Sequence, residues 1–76
     1  MKKWEYQVVR TYGGVVMLQN SQEVGKIVNN QPIGELLHEY LAKMGLEGWE
    51  VAGMAETRGG LELVLMRELA VDEVEP

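Results

Sequence analysis

The stretch PIGELLHEYLAKMGLEGWEV, residues 32–51, decides the fold, because a helical pattern gives way to a strand pattern within it. Its apolar residues recur at intervals of three and four, which predicts one apolar stripe on an amphipathic helix. Pro32 suits the first turn of a helix, where its missing N–H has no helical partner, so the helix is predicted to begin there. The stripe consists of Ile33, Leu36, Leu37, Tyr40, Leu41 and Met44.

Glycines separate this helix from the strand that follows. Gly45 is predicted to end the helix in a left-handed conformation, with Leu46 folded back on the last turn. Gly48 then leads into a strand, and we expect Trp49 to fill the seam between helix and sheet. The side chains expected on the helix side of that strand are Trp49, Val51, Gly53 and Ala55.

Three further strands are predicted around this centre. Residues 3–12 alternate in a manner typical of a strand, with Trp4, Tyr6 and Val8 expected to face the helix. The glycines in residues 12–15 indicate a hairpin turn into a return strand at residues 15–18. Residues 61–68 form the last strand, with its leucines on the helix side. Residues 24–28 fit either a short edge strand or a mobile loop.

These elements predict a single α+β domain over residues 1–68, followed by an acidic C-terminal tail, residues 69–76. The expected architecture is a small antiparallel sheet of three to five strands with one amphipathic helix packed on one face. The order along the chain is β-β-(β)-α-β-β. Because one helix covers only one sheet face, the other face needs a separate explanation.

Two segments also suggest a family. WEYQVV (residues 4–9) and MGLEGWEV (residues 44–51), with a closing strand that ends in Met66-Arg67, resemble the small bacterial and phage family catalogued as domain of unknown function 4177. The resemblance implies a compact helix-on-sheet domain that forms oligomers. It implies no activity, since the family has none to transfer.

Composition excludes several function classes. The chain has 76 residues, a formal net charge of −5 and no cysteine. An acidic surface repels phosphate, which argues against a nucleic-acid polymer as partner. No apolar run reaches the length of a membrane span, and residues 1–7 lack the pattern of a targeting signal. The expected location is the cytoplasm of a bacterium or of a cell that hosts a phage.

The residues of catalysis are scarce. His38 is the only histidine, and it falls on the polar side of the predicted helix; Ser21 is the only serine, with no base near it in sequence. The carboxylates are scattered, and without a second histidine or a cysteine no metal-ligand set is formed. The sequence therefore predicts a non-catalytic domain with no metal and no cofactor, and an enzyme is the disfavoured alternative.

An apolar patch is predicted on the sheet face that the helix does not reach. By strand parity it contains Ala52, Met54, Val64 and Met66. Soluble proteins seldom leave a large apolar patch open, so we expect it to form the interface of a homo-oligomer. The competing hypothesis is that residues 15–31 fold back over it.

An alternative function is the binding or sequestering of a small anionic ligand that contains a ring, for example a nucleotide signal sequestered by a phage protein, in pockets at subunit interfaces. The candidate residues are Arg10, Tyr12, Arg58 and Arg67. Tyrosine would stack on the ring, and the arginines would bind phosphate through two nitrogens. Alternatively, these arginines reach solvent at the sheet edge or pair with glutamates.

Overall fold

The computed structural model describes residues 2–69. Over that range it contains one helix and seven strands in two antiparallel sheets. The predicted class, an α+β domain with one helix and an antiparallel sheet, is confirmed. The elements are β1 (Trp4–Tyr12), β2 (Val15–Gln19), β3 (Gln22–Glu23), β4 (Lys26–Val28), β5 (Gln31–Ile33), α1 (Leu37–Leu46), β6 (Glu50–Thr57) and β7 (Gly60–Glu68).

The main sheet has five strands in the order β3-β2-β1-β7-β6. β1 and β2 form a hairpin whose turn residues, Gly13 and Gly14, have φ of +60° and +81°, as predicted. β7 pairs with β1 along seven residues, so the first and last strands lie side by side in the centre of the sheet. Apart from Leu69, the predicted acidic tail lies outside the described residues.

The helix begins later than predicted. Pro32 lies in β5, opposite Ile27 in β4, and α1 begins at Leu37. The intervening residues are held in extended form by β2, because the Val16 N–H donates to the Glu35 carbonyl at 2.8 Å. Residues 26–33 are thus a small separate hairpin, which decides the open question about residues 24–28 in favour of a short strand at Lys26–Val28.

The C-terminal end of the helix also differs from the prediction, because α1 continues to Leu46. Gly45 lies inside α1, and Gly48 is the residue with positive φ, at +93°. Leu46 is 90% exposed rather than folded back on the last turn. Trp49 packs against the core as predicted, and its N–H donates to the Met44 carbonyl at 3.0 Å. The turn is therefore tied to the helix end by backbone hydrogen bonds.

The core lies between α1 and the three strands β2, β1 and β7. Leu37, Leu41 and Trp49 pack around it. We call the side of the sheet that carries this core the inner face and the other side the open face. The buried members of the core are Val9, Val16, Tyr40, Met44 and Leu65.

The predicted facing of β1 is wrong. Gln7, Val9 and Thr11 are buried on the inner face, whereas Trp4, Tyr6, Val8 and Tyr12 are exposed. The inner face accepts polar side chains because each finds a partner. The Tyr40 hydroxyl donates to Gln7 at 2.8 Å, and the Leu61 N–H donates to the Thr11 hydroxyl at 3.0 Å.

A one-residue bulge corrects the prediction for β6. Val51 pairs with Leu65, but Gly53 pairs with Val64, so Ala52 is an extra residue that shifts the alternation. From that point the faces are reversed relative to simple parity. Met54 lies opposite Leu63 on the inner side, and Gly53 lies on the open face.

Candidate functional site

The open face of the sheet is the face that α1 leaves uncovered. Antiparallel partners share a face, and the pairs Tyr6–Met66 and Val8–Val64 lie side by side at its centre. Trp4 extends this surface toward the start of β1, and Leu18 extends it onto β2 through its pairing with Arg10. We define the apolar patch by its six members: Trp4, Tyr6, Val8, Leu18, Val64 and Met66.

The aromatic members of the patch are well exposed. Tyr6 is 59% exposed and Trp4 is 39% exposed. Neither ring takes part in the core beneath the helix, because α1 lies on the inner face. Large amphipathic rings of this kind are enriched at protein interfaces.

The predicted interface residues divide between surfaces. Val64 and Met66 do lie in the apolar patch. Ala52 is the extra residue of the β6 bulge, and Met54 is on the inner side, 64% exposed beside the region that α1 covers. A bulge inverts parity, so simple alternation groups Met54 with Met66; the sequence signal that could have separated them is Gly53, because a glycine inside a strand often marks a bulge.

Sequence reasoning missed the aromatic half of the patch. Trp4, Tyr6 and Val8 were assigned to the core because they are the more hydrophobic set of β1. The opposing set contains Val9 and Thr11, which also favour strands, so the alternation alone does not choose between the two faces. The signal that decides it is tertiary: Gln7 meets the Tyr40 hydroxyl.

Charges lie at both ends of the patch. At the end near the β1–β2 turn, Arg10 pairs with Glu62 at 3.5 Å, and both side chains are partly exposed. At the other end, Glu68 lies opposite Trp4 and Glu50 lies opposite Met66. A surface pair such as Arg10–Glu62 stabilises by at most about 1 kcal/mol, so Arg10 is available to other carboxylates.

Three of the four predicted ligand residues come together, and one does not. Arg10 and Tyr12 lie toward the end of β1, and the Tyr12 ring packs against the turn that holds Arg58: a Cβ at Gly59 would lie 2.5 Å from it. Arg67 lies on the inner face, opposite Glu5, at the other end of the strand pair. The predicted four-residue site is therefore not formed.

Arg67 is held in place by several partners. Its Nε donates to Glu5 Oε2 at 2.7 Å, and its Nη2 lies 2.6 Å from the same oxygen. Its Nη1 donates to the Glu47 carbonyl at 3.0 Å, and the guanidinium carbon lies 4.5 Å from the centroid of the Trp49 ring. The positive charge is thus matched locally by Glu5, as expected for an arginine at a largely apolar face.

Among the titratable groups of the described residues, Tyr40 has a shifted pKa. Burial raises the pKa of its phenol, and the negative charges of Glu35 and Glu47 raise it further. The group stays protonated and acts as a donor to Gln7. His38 lies on the exposed side of α1. Within residues 2–69 no cluster of three or more histidines or carboxylates is placed to hold a metal ion.

The single helix of residues 2–69 lacks the length and apolar character needed to cross a membrane. Comparisons of the chain with protein-family models, with curated proteins and with solved structures give no match.

Proposed function

We propose that this protein is a non-catalytic module that self-associates, with the apolar patch of one copy packed on the same patch of a second. The observation that supports the proposal is the exposure of Tyr6, Trp4 and Val8 next to Val64 and Met66 on a face that α1 does not cover. An antiparallel sheet with one face in water normally carries polar side chains there. This sheet carries aromatic and aliphatic ones through its centre.

The size of the surface suits a second copy. β1 has nine residues, and at about 3.3 Å per residue it is roughly 30 Å long. The three strands that carry the apolar patch and the adjacent β6 are together roughly 20 Å wide at about 4.8 Å spacing, so the whole open face has a projected area of up to about 600 Å². A stable dimer buries about 800 Å² of accessible surface per partner, which a side-chain-covered face of this projected area can supply.

The charges favour one orientation of the two copies. Glu50 and Glu68 lie at one end of the patch, and Arg10 lies at the other beside Glu62. If β1 of the two copies ran parallel, Glu68 would meet its own equivalent. With β1 antiparallel, Arg10 approaches Glu68 and Glu50 of the second copy, which is self-complementary under a twofold axis. We therefore expect antiparallel face-to-face packing.

The first experiment measures mass in solution. Light scattering on the intact chain at about 100 µM, where a micromolar dissociation constant gives mostly complex, should report twice 8.6 kDa. A monomer at this concentration would contradict the proposal.

Two methionines provide a matched pair of variants. Met66→Glu places a charge in the apolar patch, whereas Met54→Glu places the same charge on an exposed site of the inner side. We expect Met66→Glu to dissociate the dimer and Met54→Glu to leave it assembled. Because Met66 is partly buried, Tyr6→Glu serves as a second patch variant. If Met54→Glu dissociates the complex while both patch variants remain dimeric, the interface is elsewhere.

Orientation is tested by a charge swap. Arg10→Glu should weaken association, and adding Glu68→Arg should restore it, because the pair is re-formed between copies. Failure of the double variant to recover would contradict the antiparallel arrangement while leaving the patch itself supported by the methionine pair.

The same measurements also test whether something other than a second copy covers the open face. If the intact chain is monomeric but a chain that ends at Leu69 dimerises, residues 70–76 occupy the patch and the proposal is wrong. If the intact chain and the shortened chain are both monomeric, the patch does not join two copies, and the proposal is equally wrong.

A second candidate function, binding of a small anionic ring-containing ligand, is favoured by the grouping of Arg10, Tyr12 and Arg58 at one end of the open face. Thermal denaturation with adenosine monophosphate tests it. A rise in the unfolding temperature that Arg58→Ala abolishes and Lys43→Ala preserves would support it. At about 100 times its dissociation constant a bound ligand adds about 2.7 kcal/mol to the free energy of unfolding, so the absence of any rise would contradict binding of adenosine monophosphate.

A further inference from the structure

A cleft of about 250 Å³ opens beside the C-terminal end of α1. Most of its lining belongs to the inner face, and Tyr6 is the one residue that it shares with the apolar patch. Trp49 and Arg67 form one wall, and side-chain amides of Gln7, Gln19 and Asn20 also line it. Since a cavity of about 150 Å³ accommodates benzene, the volume here is sufficient for a bicyclic ring.

Gln7 brings a buried amide to this cleft. It is 4% exposed, and its carbonyl oxygen accepts hydrogen bonds from Tyr40 Oη at 2.8 Å and Gln19 Nε2 at 3.1 Å. Among the described residues, the acceptor for its Nε2 is the sulfur of Met44, at 3.4 Å. A thioether is a weak acceptor, and a buried N–H without a good acceptor is destabilising. The Nε2 group of Gln7 therefore favours a ligand that brings an acceptor oxygen.

The neighbouring side chains supply more donors and one acceptor. Asn20 Oδ1 accepts from the Val8 N–H at 2.9 Å, which leaves its NH2 group for a ligand. Gln19 uses one N–H on Gln7 and has a second. Arg67 binds Glu5 through Oε2 with two nitrogens, so Glu5 Oε1 is left as an acceptor.

The charge of the cleft points to a neutral ligand. Glu5 and Arg67 neutralise each other, Glu47 adds a negative charge, and no lysine lines the cleft. Phosphate would meet one engaged arginine and an excess carboxylate, which is unfavourable. A flat uncharged ring can instead stack on the guanidinium plane, whose far side is packed on Trp49.

We propose that this cleft binds a neutral planar lactam ring, that is, a ring carbonyl next to a ring N–H. The carbonyl oxygen accepts from the amide groups of Gln7 and Gln19, and the ring N–H donates to Glu5 Oε1. The proposal does not depend on self-association, since the cleft lies within one copy of the chain.

The test uses two nucleosides of the same shape. Inosine carries the lactam, whereas adenosine has an amino group and a ring nitrogen in its place. In a nitrogen–proton correlation spectrum, inosine should cause saturable shifts of the side-chain amide signals of Gln7, Gln19 and Asn20. Adenosine should bind at least about tenfold more weakly, because unmatched polar groups are rejected by a hydrogen-bonding site.

A methylated ligand and a pair of variants sharpen the test. In 1-methylinosine the N–H is replaced, so it should also bind at least about tenfold more weakly than inosine. Gln19→Leu should weaken inosine binding, while Gln22→Leu, an exposed residue of β3 outside the cleft, should leave it unchanged. The methylated ligand keeps the test valid if the Gln19 variant fails to fold.

Three results would overturn the proposal. The first is the absence of a saturable shift with inosine up to about 10 mM, a concentration at which a binding free energy of only a few kcal/mol is detected. The others are equal affinities for inosine and adenosine, and shifts confined to the apolar patch. Repeating the titration with Met66→Glu separates the two proposals. Inosine binding by a monomeric Met66→Glu supports the cleft whatever the fate of the dimer.

Discussion

Two neighbours in β1 illustrate the difference between the faces of the sheet. Gln7, a polar amide, is 4% exposed beneath α1, while Tyr6 beside it is 59% exposed on the open face. A ranking by hydrophobicity predicts the reverse. What places Gln7 inside is a set of hydrogen bonds from Tyr40 and Gln19 to its carbonyl oxygen, which offsets the loss of water around the amide.

The comparison shows how this small domain uses its apolar residues. β7 supplies leucines to the inner face, and α1 supplies Tyr40 and Met44, so the core is completed without the aromatic residues of β1. Those aromatic residues then remain available for contacts between molecules. The proposed self-association follows from that division.

The largest expected effect separates adjacent residues of β7. Leu65 is buried in the core, and Leu65→Ala should lower the free energy of unfolding by about 2–5 kcal/mol, through lost burial and a cavity. Met66→Ala, on the open face, should lower it by less than about 1 kcal/mol. Urea denaturation at a concentration where the chain is monomeric checks both. Equal losses would show that the two faces are equally packed in a single copy.

A second prediction contrasts a crowded glycine of β7 with an uncrowded glycine of β6. A Cβ at Gly60 would lie 2.0 Å from the Thr11 carbonyl oxygen, whereas a Cβ at Gly53 meets nothing within 4 Å. Because the obstacle at Gly60 is backbone, Gly60→Ala should destabilise by about 1–3 kcal/mol. Gly53→Ala, on the neighbouring strand, should change stability by less than about 0.5 kcal/mol. Thermal unfolding of the two variants measures the contrast, and a tolerated Gly60→Ala would mean that β1 and β7 separate easily.

A third prediction tests why Gln7 is inside. Gln7→Met keeps the volume but leaves the buried Tyr40 hydroxyl without its acceptor, so it should destabilise by about 1–3 kcal/mol. Adding Tyr40→Phe removes the orphaned hydroxyl and should restore most of the loss. Urea denaturation of the two single variants and the double variant gives the coupling free energy. Additive losses would mean that the hydrogen bond does not determine the facing of β1.

The smallest expected effect is a dependence on alkaline pH. Burial, followed by the charges of Glu35 and Glu47, raises the pKa of Tyr40 above its value in the unfolded chain, which is 10.0. Above that pH the unfolded chain loses the tyrosine proton while the folded chain retains it, so the free energy of unfolding falls until the folded pKa is passed.

Tyr40→Phe removes this contribution, and the other titrating groups are common to both chains. The variant should therefore lose stability less steeply than the natural chain above about pH 10. Urea midpoints at a series of alkaline pH values measure the slopes. Identical slopes would contradict the raised pKa.

Much of the fold could be predicted from local pattern. The hairpin at Gly13–Gly14, the strand over residues 61–68 and the apolar stripe of Tyr40, Leu41 and Met44 all follow from turn chemistry and periodicity. The start of α1 could not, because Pro32 suits a first helical turn and a short strand equally well. Pro32 is extended because it pairs with Ile27 of β4. The residues between Pro32 and α1 are held by the hydrogen bond of Glu35 with β2.

The site was predicted only in part for a similar reason. Val64 and Met66 were placed correctly because β7 is regular throughout its pairing with β1. Met54 was misplaced because the bulge at Ala52 shifts β6 by one residue. A shift of one exchanges the faces, and its sequence sign is Gly53, since a glycine inside a strand often marks a bulge.

By itself, the sequence determined the α+β class, the presence of one helix and of the strands β1, β2, β6 and β7, and an excess of apolar strand residues over what one helix can cover. These follow from short-range sterics and from the count of apolar side chains. Only the tertiary structure decided which side of β1 faces α1, because that choice depends on a hydrogen bond between residues 33 positions apart, Gln7 and Tyr40. The facing of β1 also determines which residues lie on the open face and which line the cleft beside Arg67.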